Sequence, residues 1–360
     1  MTILSILRST TLAGVIALGL GMQAAIAEPL VYVPLGDAGK IVIIDAATDK
    51  ITDTIGGVTA VHGLAKTPDG KFLIAGSYDE REAGTAMPAK PANITKTDHA
   101  AHHRMAKTSD TGKMAEKMVS TVSVISTADG AVVRRIDVPG AVHHVAVSPD
   151  GRFAAVTHPN EDAVSTIDLA TYKVVATIPT GSLPNYATFS PDSKRLYVSN
   201  GGGNTISKIN ISSWAVDRQI QVSDGPGHMA LSPNGQNLYV ASDDEGIVSV
   251  INIRDGMAAR TFKIGDSLHG LDVSEDGGTL FVSARGQDKL VAIDLRTSGQ
   301  REISLAPEPY HLAAIGSTGK LYVSSADQPD IWVIDQKTLA VTRKIPVDGR
   351  GHQIVLSPGS

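Results

Sequence analysis

Histidine is the residue type whose placement in this chain most clearly indicates chemistry. Seven of the eleven histidines stand at the beginning of short apolar stretches that recur along the chain. These seven are His62, His143, His144, His228, His269, His311 and His352. A neutral imidazole is the commonest protein ligand for a metal ion, and several imidazoles without a thiolate suit copper or zinc. The pattern predicts a transition-metal site, copper before zinc, held by these side chains.

A second group of potential ligands lies in a polar segment, about residues 77–119, that interrupts the repeats. The group consists of His99, His102, His103 and Met105. His99 and His103 are spaced i and i+4, and the nearby methionine adds a soft ligand for Cu(I). We expect these residues to assist metal loading. The alternative is a solvated loop whose histidines have no role.

The recurring stretches define the elements that must position the histidines. The copy at residues 143–151 ends in a Ser-Pro-Asp-Gly turn, where Pro presets φ and Gly takes a positive φ. Aligned on this turn, the copies begin at His62, His143, Asn185, Gly227, His269, His311 and His352. From His143 onward the interval is 42 residues four times and then 41. A sustained period of this length is typical of a propeller or a solenoid.

Each copy is predicted to form four strands, and the copies are predicted to close into one ring. In the copy that begins at His143 the strands are expected at 144–148, 152–157, 163–169 and 173–178. The chain ends on a first strand and its turn, whereas residues 30–55 supply a second, third and fourth strand. Joining them completes a blade and removes open sheet edges. The sequence thus predicts an all-β, seven-bladed propeller over residues 28–360, closed by pairing of its N- and C-terminal strands.

The innermost strands of a propeller line its central channel, so the recurring histidines should gather at one channel mouth. Alternation along a strand sends neighbouring side chains to opposite faces, so the spacing alone does not say which rings face the axis. His228 aligns with His144 and not with His143. The alternative to a metal site is that the imidazoles fill the channel and bond backbone carbonyls or water.

The first 27 residues have the pattern of a cleavable export signal. One cation, Arg8, precedes an apolar run that is too short to span a membrane, and Ala25-Ile26-Ala27 follows. We expect a periplasmic or secreted protein with no transmembrane segment after cleavage. The chain has no cysteine, so no disulfide holds the fold, and its formal charge of −5 argues against nucleic acid as a partner.

The repeats resemble a known family. The turn is followed by strands such as Leu-Tyr-Val-Ser-Asn at 196–200 and Leu-Tyr-Val-Ala-Ser at 238–242. This frame resembles the YVTN-type β-propeller repeat over essentially all of the chain outside the signal and the insertion. The resemblance implies a propeller similar to haem-d1-domain and nitrous-oxide-reductase propellers. Such propellers also host lactonase-like enzymes and binding scaffolds, so the resemblance leaves the activity open.

Three functions therefore stay open at this point. The first is an exported propeller that binds copper or zinc for delivery, storage or redox use. The second is a non-catalytic scaffold of the cell envelope that binds a small ligand or a periplasmic partner protein through the same face. The third is a lactonase-like hydrolase. The chain lacks Cys-x-x-Cys-His and Gly-x-Ser-x-Gly motifs, so covalent c-type haem is excluded and no catalytic residue is assigned.

Overall fold

The computed structural model describes residues 29–85 and 118–357. The strands in these ranges are β1 (Leu30–Leu35), β2 (Lys40–Asp45), β3 (Lys50–Ile55), β4 (Val61–Lys66), β5 (Phe72–Ser77), β6 (Arg81–Glu82), β7 (Met118–Ser126), β8 (Val132–Pro139), β9 (Val145–Val147), β10 (Phe153–His158), β11 (Ala163–Asp168), β12 (Lys173–Pro179), β13 (Pro184–Phe189), β14 (Arg195–Asn200), β15 (Thr205–Asn210), β16 (Ala215–Gln221), β17 (Pro226–Leu231), β18 (Asn237–Ser242), β19 (Ile247–Asn252), β20 (Met257–Lys263), β21 (Leu268–Val273), β22 (Thr279–Ala284), β23 (Lys289–Asp294), β24 (Gln300–Ser304), β25 (Pro309–Ile315), β26 (Lys320–Ser325), β27 (Asp330–Asp335), β28 (Val341–Pro346) and β29 (Val355–Leu356). Three 3-10 helices, Gly36–Ala38, Pro159–Glu161 and Arg285–Gln287, each connect the second and third strands of a blade. Among these residues no helix has the length and apolar character needed to cross a bilayer.

The strands form seven antiparallel sheets, which confirms the predicted seven-bladed propeller. Six sheets have four strands, and the blade built from β4, β5, β7 and β8 carries β6 as an addition. The ring closes where β29 pairs with β1, with Val31 opposite Leu356 and Tyr32 opposite Val355. The predicted closure by the two ends of the chain is therefore confirmed, and it covers an edge that would otherwise be open.

The Ser-Pro-Asp-Gly turn closes the first hairpin of its blade through one small network. The Ser148 hydroxyl donates to Asp150 at 2.6 Å and accepts from the Phe153 amide at 3.0 Å. Gly151 has a φ of 71°, which a residue with a Cβ seldom adopts. The same serine-to-acid bond recurs in the blade that contains Asp276. The turn thereby sets the length of every innermost strand and the height at which its first residues lie.

The core lies between the blades. The two middle strands of a blade are buried on both faces, whereas outer strands such as β3 are largely exposed. One cluster packs Tyr239, Val250 and Phe262 of one blade against Leu271 and Val282 of the next. Each blade therefore holds its neighbour at a fixed angle, and the innermost strands converge on the axis.

The predicted insertion at about 77–119 begins and ends inside the sheet. Ser77 ends β5, and β6 pairs with the first residues of β7, Arg81 opposite Val119 and Glu82 opposite Met118. The described ends of the predicted insertion therefore continue the sheet, β6 being an added strand of this blade. The predicted signal at 1–27 and the predicted loading residues His99, His102, His103 and Met105 lie outside the described residues.

Candidate metal centre

A bulge at the start of the innermost strands positions the histidines. In β21 two residues, His269 and Gly270, lie opposite the single residue Ser283 of β22. The same irregularity occurs in β17 at His228 and in β25 at His311. Two residues against one bend the strand and re-aim its side chains. We call the two residues of each pair the first and second bulge positions.

Three of the histidines form a compact group, which we call the triad. One ring nitrogen from each of His228, His269 and His311 lies within 4.8 Å of the other two. The ring centroids are 4.1 Å apart for His228 and His269 and 4.8 Å apart for the other two pairs. The rings are tilted by 68–90° to one another, so they meet by their edges and do not stack. Tetrahedral zinc places ligand nitrogens about 3.3 Å apart, so a modest contraction would complete three metal bonds.

Hydrogen bonds to the neighbouring blade fix which nitrogen some of these rings present. His228 Nδ1 lies 2.6 Å from the carbonyl oxygen of His269. His62 Nδ1 and His143 Nδ1 likewise lie 2.8 Å and 3.1 Å from the carbonyls of His143 and Asn185. A carbonyl only accepts, so Nδ1 carries the proton and Nε2 keeps its lone pair. This is the arrangement by which proteins orient metal-binding imidazoles.

A second set of imidazoles lies beside the triad. The ring of His62 is 4.5 Å from that of His143 and 4.4 Å from that of His352. His311 connects the two sets, because its ring is 6.3 Å from both His62 and His352. Six of the seven predicted ligands thus meet in one buried ring around the axis.

His144, the seventh predicted ligand, presents a different nitrogen. The Ala187 amide donates to His144 Nδ1 at 3.2 Å, so in the neutral ring the proton sits on Nε2. The ring packs against Tyr186 with a centroid distance of 3.5 Å. The proton of His144 therefore occupies Nε2, which has no hydrogen-bond partner among the described residues, whereas a metal needs a lone pair there.

Burial favours the neutral form of three of these imidazoles, those of His144, His228 and His311. Burial lowers the pKa of His228 to about 4, against the opposing effect of its hydrogen bond to His269. Burial, reinforced by nearby imidazoles, also holds the pKa values of His144 and His311 well below their usual range. Neutral rings keep their lone pairs and do not repel one another, which a cluster of metal ligands requires.

Comparison with known proteins identifies the fold but no family. No protein-family model matches the chain, and no curated protein matches it either. A solved structure of hydrazine synthase from Kuenenia stuttgartiensis is 16% identical with a TM-score of 0.66, covering 91% of this chain and all of that one. A putative 6-phosphogluconolactonase from Bacteroides uniformis is 15% identical with a TM-score of 0.69, covering 92% and all of it. At such identities the likeness shows a shared propeller fold.

Strand pairing changes the alignment of one predicted ligand. The turn-based alignment placed His311 42 residues after His269 and so at the same position as His143 and His269, but the pairing places Tyr310 at the first bulge position and His311 at the second, as for His228. The hairpin from Leu268 to Ala284 and the hairpin from Pro309 to Ser325 contain the same number of residues. The one residue by which the repeat is shortened is therefore missing before β25. The misalignment arose because the turn after β25 lacks Pro and Asp.

Two further residues lie close to the triad, of which Tyr310 was not predicted from the sequence and Asp243 belongs to the acidic loop residues expected on this face. The Tyr310 ring stacks on His269 at 3.8 Å with an interplanar angle of 15°. Asp243 has a buried carboxylate oxygen, Oδ1, without a hydrogen-bond partner, and it lies against Gly227, which precedes His228. Burial raises the pKa of Asp243 to about 7, Arg285 opposing and Asp244 adding to the effect. Because Gly227 has no side chain, the carboxylate of Asp243, from the loop after β18, can lie against it.

Proposed function

We propose that this chain is an exported β-propeller that binds a transition metal, copper before zinc, at the triad of channel histidines. The observation that carries the proposal is the convergence of three buried imidazoles from adjacent blades with ligand nitrogens within 4.8 Å. The Nε2 atoms of His228 and His311 are buried without a hydrogen-bond partner among the described residues. Leaving such an atom unpaired costs about 1–3 kcal/mol, and a bound metal would offset that cost.

Copper is preferred over zinc because of the ligand types. The set contains nitrogen only, and affinity among divalent first-row metals peaks at copper. His62, His143 and His352 lie beside the triad and would complete or extend the site, whereas His144 supports it by packing. The proposed export rests on the sequence of residues 1–27.

Elemental analysis of tag-free protein tests the proposal, beside a variant that carries His269→Ala and His311→Ala. We expect close to one copper or zinc ion per chain in the parent and none in the variant. His158→Gln serves as a control, because His158 is buried outside the ring and bonds Ala141 and Ser165. A parent protein that contains neither metal and takes up neither on titration would overturn the metal proposal and leave a metal-free binding scaffold.

A further inference from the structure

A separate cavity of about 400 Å³ occupies the channel on the turn side of the histidine ring. All seven innermost strands line it, so it lies on the propeller axis. Pockets of about 300–1,000 Å³ are typical for small organic ligands. The cavity ends against His144, Tyr186 and Gln353, which occupy second bulge positions or their equivalents.

One carboxylate stands alone in the wall of this cavity. Asp272 is the residue two places after the bulge of β21, where it pairs with Phe281. The equivalent positions of the other blades carry only small or β-branched residues. They are Ala65, Ala146, Thr188, Ala230, Ala313 and Val355. The repeat therefore favours an apolar lining here, and Asp272 breaks it.

The Asp272 carboxylate is held in place but has no counter-charge. Its Oδ1 accepts from the Val273 amide at 2.8 Å and its Oδ2 from the Ala314 amide at 2.9 Å. Among the described residues no lysine or arginine forms an ion pair with it. Burial raises its pKa to about 6, the two amides opposing the effect. Both carboxylate oxygens accept hydrogen bonds, but no opposite charge balances them, and a bound cation would supply one.

The surroundings select the kind of cation. A metal ion such as Ca²⁺ takes six to eight oxygen ligands, and the six equivalent positions offer at most the Thr188 hydroxyl. Leu231, Leu271 and Leu356 supply the apolar part of a lining that is mostly polar, and methylene groups can pack against them. Burial raises the pKa of Tyr186, and the nearby charge of Asp272 raises it further. An aromatic ring therefore also borders the site. Lys66 lines the cavity too, where its ammonium donates to Ser357 at 2.6 Å.

We propose that this cavity binds a small organic ammonium ion whose charged group pairs with Asp272 and whose alkyl chain packs on the leucines. The inference is independent of the metal proposal, since it uses none of the triad residues. Simple amines and amino acids both carry the ammonium group that would pair with Asp272. Only an amino acid also carries a carboxylate, which would pair with Lys66 at the other end of the ligand.

Calorimetric titration of the chelator-treated chain tests the proposal with n-butylammonium, γ-aminobutyrate and the uncharged isostere n-butanol. We expect both ammonium probes to bind at least about tenfold more tightly than n-butanol, as a charged hydrogen bond implies. Tighter binding of γ-aminobutyrate than of n-butylammonium would identify the amino-acid class, and the reverse would identify simple amines.

Asp272→Ala should abolish the preference for ammonium. This variant is expected to fold, because alanine occupies four of the equivalent positions. Asp276→Asn, in the exposed turn of the same blade, should bind as the parent does. The proposal is overturned if n-butylammonium binds no better than n-butanol, or if Asp272→Ala binds it as tightly as the parent. The outcome leaves the metal proposal untouched, because metal content is measured separately.

Discussion

His228 is held by the backbone of the blade that follows it, through a hydrogen bond of 2.6 Å from its Nδ1 to the carbonyl oxygen of His269. His269 thus does two things: its main chain orients one imidazole and its side chain is another of the triad. Because this hydrogen bond joins two blades, a change in the spacing of the blades would move both the His228 ring and the His269 carbonyl that orients it. The geometry of the candidate centre is therefore a property of the closed ring.

Removing one triad imidazole should abolish tight metal binding, whereas removing His144 should not. His228→Gln deletes one of three proposed ligands, and we expect copper affinity to fall by at least about a hundredfold, since loss of a coordinating group exceeds the tenfold effect of a supporting contact. His144→Gln should stay within about threefold of the parent, because the Nε2 atom of His144 carries the proton. Competition titration against a chromophoric chelator measures both. Equal losses in the two variants would refute the assignment of the ring nitrogens.

Metal removal should lower heat stability. A ligand that binds only the folded state adds RT ln(1 + [L]/Kd), about 2.7 kcal/mol at a free concentration of 100 Kd. We expect chelator-treated protein to unfold at a lower temperature than metal-loaded protein in a differential scan. The variant with His269→Ala and His311→Ala should show no such difference. A metal-induced rise that survives in this variant would place the metal elsewhere.

The fold should lose stability as the pH falls from about 6.5 to about 4. Burial lowers the pKa of His158 to about 4, against the opposing effect of its hydrogen bond to Ala141, while an unfolded chain titrates near 6.5. Between these values the unfolded state binds more protons, so the contribution is present above pH 6.5 and is lost on acidification. Each such histidine changes the free energy of unfolding by about 1 kcal/mol per pH unit.

His158→Gln isolates this effect from the other titrating groups. Urea unfolding at pH 7.5, 6 and 5 should show a shallower loss of stability in the variant than in the parent, even though the variant is weaker at pH 7.5 through lost hydrogen bonds. Identical pH slopes in parent and variant would show that His158 is not held neutral by burial.

The glycine after His269 should be required by the close approach of the next blade. A Cβ at Gly270 would lie 2.3 Å from the Tyr310 carbonyl oxygen and 3.0 Å from the Leu312 amide nitrogen. Gly270→Ala should therefore destabilise the fold by at least about 2 kcal/mol, because backbone has to shift. Gly56→Ala is the control, since nothing lies within 4 Å of its added Cβ. Urea midpoints measure both, and a neutral Gly270→Ala would contradict the described packing.

The repeat determined most of the fold, because its turn and its alternation are local signals. The three strands predicted within residues 30–55 are observed as β1, β2 and β3, and the pairing of β29 with β1 follows from counting strands. The predicted strand at 144–148 was longer than the observed Val145–Val147, and the bulges recorded in β17, β21 and β25 were not predicted. A bulge has no local sequence signature here, and it decides where each imidazole points.

The candidate site was predictable in its residue types and less so in its geometry. The seven histidines could be named from spacing, but the ring protons of His62, His143 and His228 are accepted by backbone carbonyls of other blades. Sequence order does not reveal such a partner. Asp272 was overlooked for a related reason: its isolation becomes visible only when equivalent positions are aligned by strand pairing.

The most direct measurement is X-ray absorption at the metal K edge of tag-free protein loaded with one equivalent of copper, and separately of zinc. We predict a first shell of about three imidazole nitrogens at about 2.0–2.1 Å, with the outer-shell scattering that imidazole rings produce and no sulfur. A shell of oxygen without imidazole, or one that contains sulfur, would contradict binding at His228, His269 and His311. A protein that retains neither metal would contradict the central claim outright.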